Sequence, residues 1–231
     1  ALTNVNTPNV TKIGTYAFSK CSGITNINLP NVTSTEAYAF QGCSALTSVN
    51  MPLLKSVYVN VFDGCKNLTS ISLPNALLVQ NYGFNGCTSL TSIDFPLASS
   101  FVKSSFAGCS ALTNINAPLV KSLDTSAFSG CKALPSIDFP LLISVPANGF
   151  YNCSVLNRVI LRKETMVTLS NKSAFTGTPV VSGTGYIYVP RALVETYKAA
   201  TNWSTYAAQF RALEDYTVDG TITGALDESK I

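Results

Sequence analysis

The chain has 231 residues, 46% hydrophobic and only 12% charged, with a formal net charge of +3 and no histidine. Charge usage is about half the usual quarter, which excludes an acidic or basic tail protein and leaves no nucleic-acid footprint. The missing histidine removes every triad, dyad and zinc site that needs an imidazole, and no apolar run approaches the about 20 residues of a membrane-spanning helix. Ser, Thr and Asn supply 69 of the 231 residues, so the polar positions are mostly small, uncharged hydrogen-bonding groups.

Three residue types keep one step of 22 residues along the first two thirds of the chain. They are Cys21, Cys43, Cys65, Cys87, Cys109, Cys131 and Cys153; Phe18, Phe40, Phe62, Phe84, Phe106, Phe128 and Phe150; and Pro8, Pro30, Pro52, Pro74, Pro96, Pro118 and Pro140. A fixed period of this size marks a solenoid, and it falls in the leucine-rich-repeat range. The chain opens inside a unit, because Ala1-Leu2 aligns with Ala45-Leu46 and Ala111-Leu112. The first coil is therefore expected to be truncated, with capping sequence upstream in the natural protein.

Within one unit, Ile93-Asp94-Phe95 alternates with the period of a short strand, and Pro96, which has no N–H for a ladder, closes it. A weaker alternation at Ala98 and Phe101 predicts a return side, echoed at Val32 and Thr35, Leu54 and Val57, and Val120 and Leu123. Phe106 is expected to point inward and Gly108 to make the turn. Each coil rises by one strand spacing, about 4.8 Å, so equivalent side chains stack into ladders and only the stack buries the apolar face.

The pattern degrades after Cys153. Arg162 stands where proline is due, Phe175 follows Phe150 by 25 residues, and Thr178 takes the cysteine position. Residues 185–190 read as one more strand. Residues 191–200 carry Leu193, Val194 and Tyr197 on one helical face, and residues 203–214 carry Trp203, Tyr206, Phe210 and Leu213 at helical spacing. The expected organisation is about eight coils over 1–177, a strand and helical cap over 178–216 that covers the open end, and a polar mobile tail over 217–231.

The unit Ala-Phe-x-Gly-Cys-x-x-Leu-Thr-x-Ile-x-Leu-Pro occurs as Ala39-Phe40-Gln-Gly-Cys43-Ser-Ala-Leu46-Thr-Ser-Val49-Asn-Met-Pro52, and again over 127–140. It resembles the BspA-like leucine-rich repeats of bacteria, over residues 1 to about 177. Ile187-Tyr-Val-Pro190 to Trp203 is similar to the C-terminal segment of such proteins. Lys20 and Asn152 depart from the pattern at the glycine, and Ala117 at a Leu/Phe position. The resemblance implies a right-handed leucine-rich-repeat solenoid, α/β in class but mostly short strands and loops, with a C-terminal helical cap. It also implies a secreted or cell-surface protein, in some members an adhesin for host matrix proteins or other bacteria.

Two constellations stand out as candidate sites. The seven cysteines would fall on one ladder about 4.8 Å apart, inside the Cα range of a disulfide. Their odd number and parallel side chains favour reduced, buried thiols that act as small hydrophobes, against the disulfides an oxidising exterior normally promotes. The outward strand positions Asn26, Asn28, Ser48, Asn50, Ser70, Ser72, Ser92, Asp94, Asn114, Asn116, Ser136 and Asp138 form a polar stripe, the expected contact face. The same stripe also serves as plain solvation, and it lacks the Trp, Tyr and Arg of interface hot spots. Tyr16, Tyr38 and Tyr82 share a further position and make a second candidate patch.

Asp94 and Asp138 lie two coils apart, near a glycosidase separation, but on an open face. Serine has no histidine as its base. The sequons Asn31-Val-Thr33 and Asn202-Trp-Ser204 matter only in a glycosylating host. The expectation is a non-catalytic surface module without cofactor or metal. It would bind a host or microbial protein or glycan through the strand face, with no role for nucleic acid or membrane insertion. The alternatives are a structural spacer and an accessory domain of an exported enzyme.

Overall fold

The computed structural model describes residues 2–218 and 221–222, with side chains as far as Tyr216. Each coil supplies a three-residue front strand: Asn4–Asn6, Asn26–Asn28, Ser48–Asn50, Ser70–Ser72, Ser92–Asp94, Asn114–Asn116, Ser136–Asp138 and Arg158–Ile160. Each pairs in parallel with its equivalents one coil away, as in Ile27 opposite Val5 and Ile93 opposite Ile71. Because side chains alternate along a strand, the central residue faces the core and its two neighbours face out. The backbone ladder lapses between Ser48–Asn50 and Ser70–Ser72 and between Asn114–Asn116 and Ser136–Asp138. There the central residues Val49 and Ile115 are only half-buried.

The return side is a second parallel sheet of two-residue strands: Lys12–Ile13, Ser34–Thr35, Ser56–Val57, Leu78–Val79, Ser100–Phe101, Ser122–Leu123, Ser144–Val145 and Thr168–Leu169. This sheet runs unbroken from Ser56–Val57 to Thr168–Leu169 and is interrupted after Thr35.

The phenylalanine turn forms a third inter-coil seam. Tyr82, Phe84 and Gly86 donate their N–H groups to the carbonyls of Lys103, Ser105 and Ala107 in the next coil, at 3.0, 2.8 and 2.8 Å. Aiming alternate N–H groups in one direction requires a left-handed backbone twice per coil. Tyr82 has φ +58° and Gly86 φ +68°. A left-handed residue with a Cβ costs roughly 1–2 kcal/mol, and here the bonds between coils hold it.

The phenylalanines stack down the core from Phe18 to Phe175, with neighbouring centroids 5.2–5.7 Å apart and planes within 11°. Phe95 and Phe101 meet this column edge-on at 6.0 and 5.0 Å from Phe106. Such pairs add about 0.5–1.5 kcal/mol each beyond the area they bury.

The cap departs from the expected helical pair. Residues Arg191–Leu193 and Trp203–Gln209 are 3-10 turns around the short helix Val194–Ala199, and Phe210–Ala212 is a strand, not the end of a helix. It pairs in parallel with Tyr186–Val189 and extends the front sheet to its last strand. The backbone groups of the front sheet edge require a partner, and that requirement overrides the helical spacing of the apolar residues. On the return side, side chains close the edge: Trp203 Nε1 donates to the Val167 carbonyl at 2.8 Å, Asn202 Nδ2 to Leu169 at 2.8 Å, and the Val167 N–H to Tyr197 Oη at 2.7 Å. Of the predicted mobile tail, Thr217–Val218 and Thr221–Ile222 form an antiparallel pair; the remainder lies outside the described residues.

Candidate functional site

The twelve stripe residues stand in two columns on the front sheet. Asn26, Ser48, Ser70, Ser92, Asn114 and Ser136 make one column, and Asn28, Asn50, Ser72, Asp94, Asn116 and Asp138 the other. Ser92, Asp94 and Ser136 are half-buried and the rest exposed. Most of the second column is already hydrogen-bonded along itself, and in the first column Ser48 is bonded to Asn26. Asn50 Nδ2 donates to Asn28 Oδ1 at 2.7 Å, and Asn28 Nδ2 donates to Asn6 Oδ1 at 3.1 Å. Ser48 Oγ donates to Asn26 Oδ1 at 2.6 Å.

Asp94 accepts from Ser72 Oγ at 2.7 Å and from Asn116 Nδ2 at 2.6 Å. Asp138 is clamped by Arg162, with Nε at 3.0 and 2.9 Å from its two oxygens and Nη2 at 2.8 Å. Each carboxylate therefore has fixed donors of its own.

The columns do not end at Ser136 and Asp138. Ser136 lies opposite Arg158, and Arg158 opposite Tyr186. Asp138 lies opposite Ile160, Ile160 opposite Tyr188, and Tyr188 opposite Arg211. The small polar face thus passes, without leaving its register, into an arginine–tyrosine surface. The Arg211 guanidinium carbon sits 4.4 Å from the centre of the Tyr186 ring, a cation–π distance. Arg211 Nη1 donates to the carbonyls of Ala208 and Phe210 at 2.9 and 2.7 Å.

Tyr188 packs on Tyr216 with centroids 4.7 Å apart, over a small apolar cluster of Ile160, Leu213 and Tyr216. Burial raises the Tyr188 phenol above its ordinary pKa and nearby Tyr216 adds to this, while Arg211 and Arg158 pull against both.

The cysteines lie away from this face. Cys21 is half-buried and Cys43, Cys65, Cys87, Cys109, Cys131 and Cys153 are buried, all as free thiols. From Cys43 onward, each Sγ donates to the carbonyl of the phenylalanine one coil back, at 3.1–3.3 Å, as Cys87 does to Phe62. Burial pushes the Cys43 thiol up to about 11 and the Cys109 thiol up to about 12. Thiols held protonated in this way are poor nucleophiles and poor metal ligands. Among the described residues, no group of three or more Cys, Asp and Glu is placed to hold a metal ion.

Tyr16, Tyr38 and Tyr82 share the left-handed position before the phenylalanine. Tyr16 and Tyr38 stack at 4.7 Å, and Tyr16 is exposed while the other two are half-buried. The sequon amides are both engaged: Asn31 Nδ2 donates to the Pro8 carbonyl at 2.7 Å and Asn202 Nδ2 to that of Leu169.

A family model described as the BspA-type leucine-rich repeat region matches residues 1–102 and 78–187, with six copies of the repeat. The chain belongs to the BspA-type leucine-rich repeat family. Repeats of this type typically build protein-interaction or surface modules. No curated protein matches the chain.

Among solved structures, a leucine-rich repeat protein from Bacteroides ovatus is 20% identical, covering 90% of this chain and 76% of that one with a TM-score of 0.40. Another, from Eubacterium ventriosum, is 15% identical over 80% and 71% of the two chains, with a TM-score of 0.46. The pneumococcal vaccine antigen PcpA is 14% identical over 91% and 66%, with a TM-score of 0.45.

The BspA-type repeats alone do not lead to the arginine–tyrosine end of the face. The signal for half of it is in the sequence: Tyr186-Ile187-Tyr188-Val189 alternates as a strand, so both tyrosines share its outward side. Arg211 was hidden inside an apparent helical pattern.

Proposed function

We propose that the chain is a non-catalytic binding module that engages a host or microbial protein or glycoprotein through the front face of its solenoid, outside the cell or at its surface. The repeats occupy residues 1–177, and residues 178–216 cap them and add the last two strands of the front face. The single observation that carries this reading is the passage of the polar columns into arginine and tyrosine over the last strands of the front sheet. From Ser136 and Asp138 the columns of Asn, Ser and Asp run on in strand register to Arg158, Tyr186, Tyr188 and Arg211, with Ile160 in the second column buried beside Leu213 and Tyr216. Tyr and Arg are the residue types in which interface energy concentrates, and small polar groups make a suitable hydrated rim.

One observation favours a second reading, a spacer that presents other domains. Asn6, Asn28 and Asn50 satisfy one another in a hydrogen-bonded chain, which is all a solvated structural face requires.

Surface plasmon resonance over immobilised host extracellular-matrix glycoproteins separates the two. Binding by the native chain, weakened at least about tenfold by Asn50→Lys with Asn114→Lys at unchanged melting temperature, supports the binding module. Absence of binding across the panel, or binding indifferent to both lysines, favours the spacer.

A further inference from the structure

All four arginines of the chain, Arg158, Arg162, Arg191 and Arg211, follow Cys153. Two of them are neutralised. Arg162 clamps Asp138, and Arg191 pairs with Asp215 while its backbone N–H is held by Glu214 at 3.0 and 3.1 Å. Those three carboxylates are therefore engaged, and Arg158 and Arg211 stand on the front face without a carboxylate partner among the described residues.

Their condition differs from that of a solvated surface lysine. Arg158 Nε is buried with no hydrogen-bond acceptor, and an unmet charged donor is expensive. Arg211 is fixed by two backbone carbonyls on one side and by the Tyr186 ring below, so little conformational freedom remains to be lost on binding.

We infer that the C-terminal end of the front face, Arg158, Tyr186, Tyr188 and Arg211, is the anchor site for an acidic segment of a protein partner. This rests on the binding-module reading and names the chemistry of its ligand. A guanidinium fork takes a carboxylate in two parallel bonds, and the half-buried Arg158 and exposed Arg211 bring such forks to the front face. The tyrosines give the segment an apolar platform beside the charges. A peptide rather than a free anion is selected because the charged end is continuous with the Asn and Ser columns, which offer further hydrogen bonds along an extended chain. Charge complementarity of this kind makes association sensitive to salt.

The test is selection of random peptides displayed on phage against the immobilised full-length chain, followed by titration of the enriched sequences. Enrichment of Asp- and Glu-rich peptides is expected. Their affinity should fall at least about tenfold in Arg211→Gln and again in Arg158→Gln, and weaken as ionic strength rises. Arg211 is exposed, so its variant keeps the test valid should the Arg158 variant fold poorly; melting temperature checks both. Peptides without an acidic bias, or acidic peptides indifferent to Arg211→Gln, overturn the inference. So does Arg-dependent binding of a uronate oligosaccharide with no acidic peptide enriched, which reassigns the site to a glycan. Peptides that depend on Asn50 and Asn114 but not on the arginines sink this inference and leave the binding module standing.

Discussion

Thr35 carries a buried hydroxyl with no hydrogen-bond partner, at 1% exposure, in a column otherwise filled by Ile13, Val57, Val79, Phe101, Leu123, Val145 and Leu169. The return sheet is interrupted at the same residue. Removing an unmet hydroxyl while keeping the side-chain shape recovers its desolvation, so Thr35→Val is expected to stabilise by about 1–2 kcal/mol in urea denaturation. A loss of stability would mean that the hydroxyl is satisfied by water. Ser105, also buried and unmet in a column of small residues, should respond in the same direction to alanine. The glycine turn gives a second residue-scale test. A Cβ at Gly108 would lie 3.6 Å from the Gly86 Cα, ordinary contact, so space is not the obstacle. The backbone angle is, at φ +72°. Gly108→Ala should therefore cost about 1–2 kcal/mol, and Gly108→Asn less, since Asn152 already occupies the equivalent turn at φ +55°. Equal costs for the two would point to crowding instead of backbone strain.

The cap works as an element because its aromatic bodies and polar tips address different deficits of the last coil. Trp203 is 1% exposed and lies 6.1 Å from Phe175, the end of the phenylalanine column, while its indole N–H meets the Val167 carbonyl. Trp203→Ala removes both contributions and is expected to cost about 3–5 kcal/mol in thermal or urea unfolding followed by far-UV circular dichroism. Trp203→Phe keeps the body and loses the tip, so it should cost roughly 1–3 kcal/mol. A Phe variant as unstable as the Ala variant would show that the hydrogen bond outweighs the packing. The repeats were legible because identical coils convert a step of 22 in sequence into one step in space. The strand Phe210–Ala212 was not legible, because Trp203, Tyr206, Phe210 and Leu213 carry helical spacing. Its conformation is set by the open edge of Tyr186–Val189, a partner outside the local sequence.

At the scale of the whole molecule, the front face shows the same limit. Its step is 22 as far as Ile160, then 28 to Tyr188 and 23 to Arg211, so the period that reveals the Asn and Ser columns loses the residues best suited to anchor a partner. The thiol ladder, by contrast, spans nearly every coil and makes a property of the entire stack. Folding raises the pKa of Cys43, Cys65, Cys87, Cys109 and Cys131, chiefly by burial. An unfolded thiol titrates near about 8.5. Below that pH both states hold their protons and stability does not depend on the thiols. Above it the unfolded chain releases protons that the folded chain keeps, so stability falls as pH rises toward the folded values, about 11 for Cys43 and about 12 for Cys109. Each such thiol contributes a slope of at most about 1.4 kcal/mol per pH unit, and the five together at most about 7. Urea midpoints measured under reductant from neutral pH to pH about 10.5 should be level at first and then drop steeply. Below pH about 9.5, before tyrosines titrate, Cys109→Ala should flatten the drop by about one fifth, whatever it does to stability at neutral pH, because the slope counts protons and not packing. An unchanged slope in that variant would mean that the Cys109 thiol does not resist ionisation in the folded chain, and that the ladder is more open to solvent than its burial implies.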